Sequence, residues 1–112
     1  MVIGMKIVTY EDFKKLEIRV VKILKSEPIP GKTKIVKLIV DIGSGKYQTI
    51  IAGGGEFYTP ESFLNKKFIA IINLAPKKIA GVMSQGMLLA ADVNGKPSWL
   101  TIADAPVGVK II

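Results

Sequence analysis

From Ile18 onward the chain is a succession of short aliphatic runs rich in β-branched residues, each closed by a turn cluster. Ile18–Lys25 (IRVVKILK) runs into Glu27-Pro28-Ile29-Pro30-Gly31, and Ile35–Ile42 (IVKLIVDI) into Gly43-Ser44-Gly45. Lys46–Ala52 (KYQTIIA) returns from that turn as a hairpin partner and stops at Gly53-Gly54-Gly55. Three glycines permit a bulge or a positive φ, as strand corners of small barrels need. Lys67–Leu74 (KFIAIINL), Gln85–Val93 (QGMLLAADV) and Pro97–Ile102 are further strands, with Asn94-Gly95 as a turn. Helical signals are sparse. Thr9-x-x-Asp12 has the form of a capping box opening a short helix over Tyr10–Leu16, with Phe13 and Leu16 inward. Thr59-Pro60-Glu61 puts a proline at a helix start, so Glu61–Leu64 reads as one turn. The order β-β-β-α-β-β predicts an all-β fold: a five-stranded OB-fold barrel with a short helix between strands 3 and 4 and a short N-terminal helix. A small sandwich is the structural alternative.

The length, 112 residues, predicts one domain over 1–112, and 49% apolar residues suffice for a core without cross-links. Neither cysteine nor histidine occurs, which removes disulfides, the usual zinc sites and Ser-His-Asp or Cys-His nucleophiles. The remaining carboxylates (Asp41, Glu56, Glu61 and Asp92) fall in unrelated segments with no partner base, so no enzyme, metal or cofactor is expected. The apolar stretches are far too short for a membrane span, and the N-terminal residues reach charge too soon for a signal peptide. A soluble, cytoplasmic protein is expected.

Charge narrows the function. The net charge is +7; residues 1–80 hold fourteen cations against seven anions, whereas Lys96 and Lys110 balance Asp92 and Asp104 thereafter. Such an excess suits a polyanion bound by counterion release, or serves solubility alone. Two clusters are candidates. Lys32, Lys34 and Lys37 follow the proline-rich turn. Gly31-Lys32-Thr33 is like the end of a phosphate-binding loop, yet no upstream glycine has the required spacing and no helix follows. In the second cluster, Asn73, Lys77 and Lys78 leave a strand through Pro76, and Ser84 and Met87 enter the next. Cations for phosphate, an amide and a hydroxyl for sugar or base edges, and a thioether for apolar contact suit an RNA surface. Taken alone, these residues fit a solvated loop and a core methionine as well.

The motifs are more specific. Asp12-Phe13-Lys14-Lys15-Leu16-Glu17-Ile18-Arg19-Val20 resembles the "DFxKvdlRVG" opening of the tRNA-binding domain family. Asn73 to Gly81, with Ser84-x-Gly86-Met87-x-Leu89-Ala90-Ala91, resembles its "NLxPrKixGxxSxGMxLAA" signature. The resemblance spans essentially the whole chain. It implies an OB barrel, non-catalytic recognition of tRNA by shape, a homodimer, and association with methionyl-tRNA synthetase as a free-standing protein or β-subunit. It also carries Ser84 and Met87 over as tRNA-binding positions. Departures are Val21 for glycine, Thr33 for aspartate, Ala52-Gly53-Gly54 for "SGI", and Gln48 where relatives carry arginine. The apolar ends, Met1–Val8 and Val107–Ile112, are candidates for a dimer interface. A related export chaperone, which binds unfolded polypeptide, is the rival; its loop normally carries paired prolines where this chain reads Asn-Leu-Ala-Pro-Lys-Lys.

Overall fold

The structure, a computed structural model, describes residues 4–112. A short helix α1 (Tyr10–Lys14) precedes three long strands, β1 (Ile18–Ile29), β2 (Lys32–Gly43) and β3 (Lys46–Gly53). A 3-10 turn at Pro60–Phe63 leads to β4 (Lys67–Ile71). Then come β5 (Lys77–Ile79), β6 (Val82–Ser84), β7 (Met87–Leu88), β8 (Ala90–Val93) and β9 (Lys96–Trp99). The main sheet is antiparallel in the order β3-β2-β1-β4-β7, with β5–β6 and β8–β9 as separate ribbons. The expected mostly β, five-stranded barrel is therefore the observed architecture.

The barrel is nearly closed, and its seam between β3 and β7 relies on side chains. Gln85 N–H donates to the Thr49 carbonyl (2.8 Å), Thr49 N–H to Gln85 Oε1 (2.8 Å) and Ile51 N–H to Ser84 Oγ (3.0 Å). Closure by backbone alone would need a longer β7. The polar side chains at 84 and 85 stand in for the missing ladder and satisfy edge donors that burial would leave orphaned.

Alternation along β1 and β4 builds two cores. Val21, Ile23, Phe68 and Ala70 join Val36, Leu38, Val40, Ile50 and Phe63 inside the barrel. Ile18, Val20, Ile69 and Ile71 point to the opposite face, where Leu16, Leu89, Ile102 and Ile111 cover them. Burial on both faces explains why β4 reads as an unbroken apolar run over Phe68–Ile71 and why Val20 and Val21 are adjacent in β1. Each fully buried aliphatic contributes about 1.5–3 kcal/mol. The C-terminal tail adds its own rung: Gly108 N–H donates to Val20 O (2.7 Å), Val20 N–H to Val109 O (3.0 Å) and Ile111 N–H to Ile18 O (2.8 Å).

Several boundaries differ from expectation. β1 continues past Lys25 through Pro28, where a register shift accommodates the missing donor. The expected strand over Gln85–Val93 is split. Leu88 faces the barrel, but the exposed β8 peels away to pair with β9. Likewise the strand expected over Lys67–Leu74 ends at Ile71, with one further backbone bond from Ile72 N–H to Glu17 O (2.9 Å). In α1, Thr9 Oγ1 accepts from Asp12 N–H (3.1 Å) as expected, yet Asp12 turns to Lys15 rather than back to the cap. Phe13 stays 39% exposed and stacks on Tyr10, so only Leu16 of the expected pair joins a core. Thr59 makes no side-chain cap bond; its carbonyl takes the Ser62 hydroxyl (2.6 Å). No helix among the described residues is long and apolar enough to cross a membrane.

Candidate nucleic-acid interface

In barrels of this type, oligonucleotides bind across strands 2 and 3 and the flanking loops. Here that surface is β2 and β3, the Pro30-Gly31 turn before β2, and the β5–β6 hairpin beside β3. The register fixes a row across it. Glu27 pairs with Lys37, Lys37 with Ile51, Ile51 is hydrogen-bonded to Ser84, and Ser84 pairs with Lys77. Because β6 runs antiparallel to β3 along this seam, the Ala80-Gly81 tip extends toward the Gly53 end of β3. Ile35 opposite Gly53 brings the β1–β2 turn to that same end. The two expected lysine clusters therefore flank one surface.

The individual residues play different parts. Lys32, Lys34, Lys77 and Lys78 are exposed. Lys37 is half-buried and lies cross-strand from Glu27, whose carboxylate pairs with Lys25 (3.4 Å). Met87 is 45% exposed, so it faces solvent and Leu88 is the inward residue. Asn73 and Ser84 are engaged within the fold. Asn73 Oδ1 accepts from Glu17 N–H (2.8 Å) while its amide donates to Lys15 O (2.7 Å), tying the start of β1 to the end of β4. Ser84 is only 5% exposed, and its hydroxyl lies between Ile51 N–H and the Gly86 carbonyl (3.3 Å). Ser84 therefore supports the surface from beneath, whereas the exposed Asn73 anchors the start of the segment that leads to Lys77. Gln48 donates to Ile72 O (2.7 Å) and is likewise committed to the fold.

A further feature at the same end went unread in the sequence. The loop after β3 is pinned by Gly55 N–H to Lys34 O (3.1 Å), by Phe57 and Tyr58 N–H to Gly54 O (2.9 Å each), and by the Tyr58 hydroxyl to Pro97 O (2.7 Å). Gly54, at φ +85°, packs so tightly that a Cβ would lie 2.9 Å from Pro97 Cγ and 3.2 Å from Trp99 Cζ2. This rigid loop buries half of Tyr58 but leaves Phe57 49% exposed. The Lys96 ammonium sits 5.9 Å from the Phe57 ring and 5.6 Å from that of Tyr58, each a cation–π contact worth about 0.5–1 kcal/mol at a surface. Adjacent aromatics at 57 and 58 carry no periodic signal that says which one faces out.

At the opposite end, Glu17 joins the tail to β1. It receives the Arg19 guanidinium and, at 3.5 Å, the Lys110 ammonium, while Arg19 also donates to Gly108 O (3.1 Å). The Arg19 hydrogen bond, aided by the charges of Lys110 and Arg19 and opposed by desolvation, holds the Glu17 carboxyl below its ordinary value. The tail Val107–Ile112, expected as a candidate dimer interface, is docked on its own barrel, with Val107 and Ile111 half-buried. Among the apolar N-terminal residues, 1–3 lie outside the described residues, while Met5, Ile7 and Val8 are exposed.

Residues 18–110 match the family model described as "tRNA binding domain". The chain belongs to this tRNA-binding domain family. It is 49% identical over 104 residues to a methionine–tRNA ligase of Methanocella arvoryzae, covering 93% of this chain but 15% of that protein. A second such ligase, from Caldanaerobacter subterraneus, is 42% identical over 105 residues, 16% of its length. The chain therefore spans about one-sixth of these curated relatives. Among solved structures, a MetRS-related protein from Pyrococcus horikoshii superposes with a TM-score of 0.90 at 37% identity, covering 96% of this chain and all of that one. The chaperone CsaA of Bacillus anthracis superposes with a TM-score of 0.84 at 26% identity and the same coverage.

Proposed function

We propose that this domain binds tRNA without catalysis, by shape and phosphate charge, and assists an aminoacyl-tRNA synthetase of the methionyl type as a free-standing factor or β-subunit. The observation that carries this reading is family membership over residues 18–110, in a barrel whose two exposed lysine clusters border one surface. Lys32, Lys34, Lys77 and Lys78 neutralise phosphates. Lys37 contributes less, because Glu27 opposes it. Met87 offers an apolar contact, and Asn73 and Ser84 hold the surface in shape. A tRNA ligand implies action in the cytoplasm. With a single arginine in the chain, base-specific readout is modest and affinity falls steeply with salt.

The domain acts as a homodimer in this reading. Met5, Ile7, Val8, Tyr10 and Ile112 are all more than 60% exposed, an apolar load that a symmetric partner would cover. Two barrels would then engage one tRNA with avidity. Sedimentation of the full chain as a monomer at micromolar concentration would remove this element.

Filter binding of tRNA against duplex and single-stranded RNA controls over a salt series tests the main claim. Preferential retention of tRNA is expected; equal retention of all three would reduce it to generic polyanion affinity. The likeness to CsaA favours a second reading, capture of unfolded polypeptide. Competition between tRNA and a reduced, unfolded protein separates the two, since a tRNA-specific surface keeps its ligand in the presence of excess polypeptide.

A further inference from the structure

The Phe57 loop has a geometry that neither phosphate binding nor barrel stability requires. A half-exposed phenyl ring is held on a backbone with little freedom, since four hydrogen bonds and the Gly54 packing fix residues 54–58. One cleft of about 270 Å³ lies between this loop and the β1–β2 turn, lined by Pro28, Lys32, Thr33, Gly55, Tyr58 and Pro60. On the loop's other side, a cleft of about 330 Å³ is bounded by Gly53, Gly54, Ala91, Asp92, Gly95 and Pro97. Asp92 directs its carboxylate to Gly95 N–H (2.7 Å), which gives that second cleft a negative charge. The two linings are therefore unequal: Lys32 is the charged group of the first cleft and Asp92 that of the second.

From this we infer that Phe57 is a stacking platform for one unpaired nucleotide of the bound RNA, whose phosphate lies toward Lys32 and away from Asp92. The inference rests on the tRNA-binding reading and deepens it. The Lys96 ammonium lies over one face of the ring, 5.9 Å from its centroid, so the base stacks on the other face with a second cation within reach of the same nucleotide. A pinned aromatic loses little conformational freedom when a base stacks on it, and every base has a π-face, so the contact adds affinity without selecting sequence. It selects instead for RNA with a base free to stack, which a continuous duplex lacks.

Phe57→Leu is the decisive variant, because leucine keeps an apolar side chain and removes the π-face. Phe57→Trp restores it. The full chain is compared with both, and with a variant carrying alanine at Lys32, Lys34, Lys77 and Lys78, on tRNA, on tRNA lacking its single-stranded 3′ end, and on a fully paired RNA duplex. Phe57→Leu is expected to weaken tRNA binding by ~5- to 100-fold at every salt concentration with an unchanged salt slope, since no phosphate contact is lost. Duplex affinity should not move, Phe57→Trp should bind as the parent does, and the thermal midpoint should stay put. If Phe57→Leu loses nothing on the end-trimmed tRNA, the stacked base is terminal; if the loss persists there, it belongs to a loop, and either result supports the platform. Identical tRNA isotherms for parent and Phe57→Leu overturn it, as does an equal loss on the duplex. The lysine variant and the parent's own tRNA preference report on the underlying reading separately, so tRNA binding that survives Phe57→Leu intact sinks the platform alone.

Discussion

Replacing Ser84 by alanine sets two roles for this residue against each other. If its hydroxyl touches RNA, the variant should lose affinity and keep its stability. If the hydroxyl closes the barrel, the reverse holds. The geometry favours closure: Ser84 is 5% exposed, and Oγ accepts from Ile51 N–H at 3.0 Å. Ile51 is itself buried, so truncation strands a backbone donor out of reach of water. An unsatisfied buried N–H costs about 1–3 kcal/mol. For 112 residues the unfolding entropy is about 0.24 kcal/mol/K, so a central value of 2 kcal/mol lowers Tm by roughly 8 °C. Calorimetry of parent and variant at pH 7 measures this, and amide exchange at Ile51 should accelerate selectively. Binding of tRNA, measured well below the lowered midpoint, should fall by no more than about threefold, through loosening of the adjoining β5–β6 hairpin. A variant with unchanged Tm and abolished tRNA binding would refute the closure argument and return Ser84 to the ligand surface.

Three other outcomes are expected. Alanine at both Lys77 and Lys78 should leave Tm within error and reduce the log–log salt slope of tRNA binding by about 1.5 to 2, as measured by filter binding, because two phosphate contacts are removed. Ala80→Asn should stabilise, since Ala80 sits at φ +50° in the two-residue β5–β6 turn ahead of Gly81 at +79°; relief of about 1 kcal/mol raises Tm by roughly 4 °C, and a lowered midpoint would contradict the turn assignment. The tail should loosen in acid. The carboxyl of Glu17 is held below its ordinary value chiefly by Arg19, so its contribution is complete at neutral pH and vanishes as pH falls through the folded-state value. Protection factors of the Gly108 and Ile111 amides should therefore drop on acidification, and Glu17→Gln should lower them at neutral pH and flatten that dependence.

How much of this was legible in the sequence follows from which signals are local. The strands of the first hairpins were readable because Val36, Leu38 and Val40 alternate against outward residues, and because turns rich in glycine and proline bracket them. The break between Leu88 and Ala90 was not, because Met-Leu-Leu-Ala-Ala is apolar throughout and does not say that Leu88 enters one core, Leu89 the other, and Ala90 neither. The exposed lysines were found by charge, which needs no geometry. Ser84 and Asn73 stand out by motif and by chemistry, but neither signal says what their polar atoms meet in the fold. A hydroxyl or an amide suits an RNA phosphate and an orphaned backbone donor equally well, and the backbone partners, Ile51 N–H and Glu17 N–H, lie 33 and 56 residues away along the chain. In the proposed reading, motif residues of this kind serve binding indirectly. The hydroxyl that holds β6 against β3 also fixes where Lys77 stands, through the Ser84–Lys77 pair, so a ligand-binding signature and a structural one can be the same residues seen from opposite sides of the sheet.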